Sequence, residues 1–69
     1  MVDERAHLAQ ADGHIAGAKA HIAAQEQRIA YLAANDHDVR NAENFLSVLS
    51  DTLKAFERHR RAILRQLAE

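Results

Sequence analysis

The sequence repeats every seven residues, and that period constrains the fold more than any other feature. Read from Arg5, the first half stacks as RAHLAQA, DGHIAGA, KAHIAAQ and EQRIAYL. Leu8, Ile15, Ile22 and Ile29 recur at one position, and Ala11, Ala18, Gln25 and Leu32 at a second. Apolar residues in 3-4 alternation draw a stripe down one side of a helix, and a stripe of that kind needs another helix to cover it. The second half keeps the period at Val39, Leu46, Leu53, Arg60 and Leu67, interleaved with Ala42, Leu49, Phe56 and Ile63. The two series predict two long helices of coiled-coil type.

Asn35-Asp36-His37-Asp38 is the one cluster of turn formers between them. Asn tolerates the left-handed conformation that ends a helix, and Asp36 or Asp38 can accept a backbone N–H at the start of the next. Asp3 can cap the first helix in the same way. With no proline and with glycine only at Gly13 and Gly17, nothing else interrupts the pattern. The expectation is a single hairpin over residues 1–69, with helices over about 3–34 and about 39–67 and a turn at about 35–38. So short a connection makes the helices antiparallel neighbours. A register in which facing positions add to about 71 sets Leu32 against Val39, Ile22 against Leu49, Ala18 against Leu53, Ile15 against Phe56 and Leu8 against Ile63. Gln25 and Arg60 intrude on the seam; Gln25 helps fix the register, and Arg60 reaches past Ala11 towards Asp12.

A hairpin of 69 residues has little core. Chains of this size are held by disulfides, metals or self-association, because one small core supplies only about 3–5 kcal/mol. The absence of cysteine removes the first device and thiolate zinc sites. A second stripe on each helix points to the third device. On helix one it is a run of small residues, Ala16, Ala20 and Ala23 among them, nearly opposite the large seam. On helix two it is Phe45, Val48 and their heptad mates beside the seam, and with Leu64 these are residues an isolated hairpin leaves exposed. Phe45 is expected to pack on the Ala20–Gln27 stretch of another copy.

His14-Ile15-Ala16-Gly17, His21-Ile22-Ala23, His37-Asp38, Ala42 and Leu53 resemble the pattern of a group of short proteins of α-proteobacterial type, built as helical hairpins with His-Ile-Ala heptads. Asp36 stands where that pattern has glycine. The resemblance implies a helical hairpin in a bacterial cytoplasm and implies no activity, and no functional residue is carried over from it.

Two constellations suggest chemistry. His7, His14 and His21 are spaced by seven residues, two turns of helix, too far apart for a shared metal within one helix. His14 with His59 of the second helix is the weak candidate for a zinc or copper pair. The other constellation is basic. From Lys54 onward five basic residues stand against two acidic, a local +3 in a chain whose net charge is −1. Lys54, Arg58, Arg61 and Arg65 would line one helix edge able to track phosphates, though no aromatic interleaves them. Ser47, Ser50 and Thr52 are not drawn towards a histidine and an acid by spacing, and Gly13-His-Ile-Ala-Gly17 follows no strand, so neither a nucleophile nor a phosphate loop is expected. No apolar run approaches the ~18 residues of a membrane span, and the first residues lack a signal peptide's basic-then-apolar order.

The sequence therefore predicts an all-α antiparallel hairpin that dimerises into a four-helix bundle, a cytoplasmic, non-catalytic interaction module without cofactor or membrane partner. Its interface would use Phe45, Val48, Leu64, Ala16, Ala20 and Ala23. An unidentified protein partner is a further possibility; nucleic-acid binding by the basic edge and histidine-mediated metal binding are the alternatives.

Overall fold

A computed structural model describes residues 3–69; Met1 and Val2 of the expected hairpin lie outside the described residues. Two helices account for almost all of it, α1 (Glu4–Ala34) and α2 (Arg40–Ala68). Neither contains a helix breaker, and α1 is rich in alanine, the best helix former. At its start the Asp3 carboxylate accepts the Arg5 N–H at 3.0 Å, occupying one of the donors that a helix N-terminus leaves free.

The end of α1 is closed by two reverse hydrogen bonds. His37 N–H donates to the Leu32 carbonyl at 2.9 Å, and Asp36 N–H to the Ala33 carbonyl at 3.2 Å. This Schellman closure requires one left-handed residue. Sequence reading gave that role to Asn35, whereas the structure gives it to Asp36, with φ 58° against −106° at Asn35. Asn35 instead turns its side-chain amide back onto the Tyr31 carbonyl at 2.8 Å. Asp36 thus occupies the position where a glycine would carry no Cβ penalty. Asp38 then caps α2: its carboxylate accepts the Arg40 N–H at 2.9 Å and is gripped by the Arg40 guanidinium at 2.7 Å. That grip holds the Asp38 carboxyl below the usual carboxylate range.

The helices pack along the expected seam. Ala11, Ala18 and Ile63 are buried, and the remaining seam residues are half-buried, with one exception. Leu67 was placed in the seam but is 41% exposed. The register puts it opposite the first residue of α1, Glu4, so among the described residues no apolar side chain stands across from it. Both polar intrusions find partners across the seam. Gln25 Nε2 donates to the Ala42 carbonyl at 2.9 Å, and Arg60 Nε donates to Asp12 Oδ1 at 2.5 Å. These two contacts, one towards the turn and one towards the open end, agree with the register set by the apolar seam.

Two helices side by side cannot enclose a core. The hairpin measures 53 × 16 × 14 Å with a radius of gyration of 16.0 Å, against about 11 Å for a compact domain of this length. Its accessible surface is 5330 Å², against about 4,300 Å² expected for a compact folded monomer of the same mass. Roughly 1,000 Å² more surface faces solvent than a compact chain of this mass would leave.

Candidate interaction face

Helical phase divides the hairpin into two broad faces, one on each side of the seam. One face is bordered by His7, His14, His21 and Arg28 of α1 and by Phe45, Thr52 and His59 of α2. Residues seven apart return to one side of a helix, and shallow depressions run end to end along the groove between these rows. His21 and Phe45 share one of them, and His14 and Thr52 the next. The His14 ring lies against Phe56, centroids 5.2 Å apart and planes tilted by 31°, so the imidazole covers the edge of the seam.

The shoulders of this face carry Gly17, Ala24 and Tyr31 from α1 and Val48, Ala55 and Ala62 from α2. Three large apolar residues stand out to solvent on it: Tyr31 is 65% exposed, Phe45 52% and Val48 57%. A Cβ built on Gly17 would meet nothing within 4 Å, so the helix surface there is open to a visitor. Between its ends the face has no carboxylate, and Arg28 is the only permanent charge there; Glu4, the first residue of α1, stands beside His7 at the open end.

The other face is charged. Asp12, Lys19 and Glu26 of α1 border it, opposite Glu43, Ser50 and Glu57 of α2, with Lys54 and Arg61 on the shoulder. Its opposite charges are interspersed and include the Asp12–Arg60 pair. A surface of that kind is well solvated.

The residues expected at the interface do not all share one side. Phe45 and Val48 do, and Tyr31 joins them. Leu64, 38% exposed, lies seven residues beyond Glu57 and so belongs to the charged face. Ala16, Ala20 and Ala23 are exposed on the outer side of α1, turned away from Phe45. Tyr31 is the residue that seam spacing alone does not single out; its phase, nine residues on from Ile22 and three from Arg28, places it on this side. The basic edge is where the heptads placed it. Lys54, Arg58, Arg61 and Arg65 are all exposed along the outer side of α2.

For metal, no group of three or more His, Asp or Glu side chains among the described residues gathers closely enough to hold an ion. Of the candidate pair, His14 lies against Phe56 and lines a depression with Thr52, and His59 is exposed on the same side of the seam. Beside His7, Glu4 approaches the Nδ1 atom at 3.9 Å. No helix among the described residues is long and apolar enough to cross a membrane.

The chain is an all-α antiparallel helical hairpin. Comparison with models of protein families, with curated proteins and with solved structures finds no match.

Proposed function

We propose that this hairpin is a non-catalytic interaction module that pairs with a second copy of itself through the face bearing Tyr31, Phe45 and Val48, forming a four-helix bundle in the bacterial cytoplasm. The observation that carries the reading is the exposure of those three side chains on a surface whose carboxylates stand only at its ends. Interface centres are depleted in charge and enriched in Tyr and Phe, whereas a face turned permanently to water has no use for either property. Dimensions agree. A face as long and wide as this hairpin offers roughly 800 Å², the area per partner of a stable protein–protein contact, and stacking two copies removes the surface excess that an isolated hairpin keeps. The occupant is a second copy because the face is nearly neutral and can meet itself without charge conflict. The cytoplasmic setting rests on the resemblance of the heptads.

Light scattering at micromolar concentration and neutral pH tests the reading. The expected mass is about twice 7.7 kDa. A single chain that stays helical over the whole concentration range would overturn it. Salt-sensitive uptake of an oligonucleotide by such a single chain would favour the basic edge instead.

A further inference from the structure

The pairing face carries four of the five histidines in the chain. His7, His14, His21 and His59 stand on it, and only His37 of the turn does not. The face has little else that can respond to pH. Arg28 is charged throughout the physiological range, and Lys and Asp residues of the helices lie elsewhere.

We propose that these histidines make self-association pH-sensitive, with the pair formed at neutral pH and released as the imidazoles protonate. The inference rests on the pairing just described and adds its regulation. His14, His21 and His59 carry it, because each lacks a compensating carboxylate. Around His14 the neighbours on its own helix are Gln10, Ala11, Gly17 and Ala18, and from α2 it meets Phe56 and Thr52. His21 has Gly17, Ala18, Ala24 and Gln25 one turn away, Arg28 two turns on, and Phe45 and Leu49 across the groove. His59 has Ala55, Phe56, Ala62 and Ile63 one turn away on its own helix, and the row of His7 and His14 borders the groove opposite. Carboxylates stand only at the ends of the face: Asp3 and Glu4 beside His7 and Glu69 at the end of α2, and Asp38, already held by Arg40, beyond Arg28. His7, with Glu4 at 3.9 Å, has a carboxylate that can balance its charge and so does not contribute.

Protonating the three gives each copy three new positive charges in line with Arg28, and pairing then presses two such faces together while stripping their water. Both effects favour the neutral imidazole in the pair. The sign follows. A base that is more readily protonated in the separate chains than in the pair supports association fully above its ordinary range near pH 6.5 and withdraws that support as pH falls through it. Each such group weakens association by up to about tenfold per pH unit below that range.

Sedimentation of wild type and of a variant with His14→Gln, His21→Gln and His59→Gln, at pH 7.5 and 5.5 with helicity followed by circular dichroism, tests this. The dissociation constant of wild type is expected to rise at least tenfold at pH 5.5 with helicity retained, while the variant stays paired at both. Equal affinity of wild type at the two pH values would overturn the switch and leave the pairing standing, as would an equal acid weakening of the variant. A wild type already single at pH 7.5 would overturn the pairing and the switch together. Helicity lost at pH 5.5 by both wild type and the unpaired Phe45→Asp, Val48→Asp variant would place the acid response in the hairpin itself and overturn the switch.

Discussion

The two broad faces of this hairpin are built on the same backbone and flank the same seam, yet one is laced with charges of both signs and the other has a single permanent charge. The charged face is complete as it stands: Asp12 and Arg60 bond across the helices, and the remaining acids and bases are solvated. On the other face Tyr31, Phe45 and Val48 leave more than half of their surface in water. Helix-forming tendency cannot explain the contrast, because both faces draw on both helices. What differs is the side chains each face carries, interspersed charges in one case and exposed apolar residues with histidines in the other.

The largest expected effect tests the seam that holds both faces in place. Leu53→Ala, in the middle of α2 and across from buried Ala18, is expected to cost about 2–5 kcal/mol in chemical denaturation. A loss under half a kcal/mol would show that the pairing of helices, and with it the division into faces, is wrong.

Placing charge on each face in turn breaks the comparison directly. Phe45→Asp with Val48→Asp removes about half of two large apolar burials, roughly 2–3 kcal/mol of association, or about 30- to 150-fold in dissociation constant. Leu64→Asp on the charged face should change it less than about twofold. Equal effects measured by sedimentation would erase the distinction.

Smaller changes sharpen it. Gly13 and Gly17 both have open space where a Cβ would stand, so Gly13→Ala and Gly17→Ala should each stabilise the hairpin by about 0.5–1 kcal/mol. A gain at Gly17 that appears only in the unpaired Phe45→Asp, Val48→Asp background would mark the place where the second copy sits closest. Asp12→Asn should be nearly silent, within about 1 kcal/mol, because the Arg60 pair it weakens is solvent-exposed. A larger loss would mean that the charged face, too, depends on a specific contact.

Much of this was legible in the heptads. The two helices, their antiparallel register and the Arg60–Asp12 contact follow from apolar spacing and from the reach of a guanidinium, because a seam of large side chains fixes the phase of both helices at once. The turn was legible only as a turn: Asn and Asp both tolerate the left-handed conformation, and which one adopts it depends on where the last carbonyls of α1 point. Leu67 shows the limit at a helix end, since the heptad of α2 continues to a level where α1 offers only Glu4 among the described residues. The interaction face was half legible. Spacing isolates Phe45 and Val48; Leu64 stands across the seam from them and the alanines on the outer side of α1, and which of these a second copy meets is not written in the spacing. Alanine is so good a helix former that a stripe of it carries little information about contact.

The central claim is that the second copy sits on the face of Tyr31, Phe45 and Val48. Isotope-filtered NMR on a mixture of labelled and unlabelled chains at neutral pH tests it most directly, since it records only contacts between copies. The account predicts intermolecular contacts from the Tyr31 and Phe45 rings and the Val48 methyls, and none from Ala16, Ala20, Ala23 or Leu64. Contacts from those four residues with none from Tyr31, Phe45 and Val48 would contradict it.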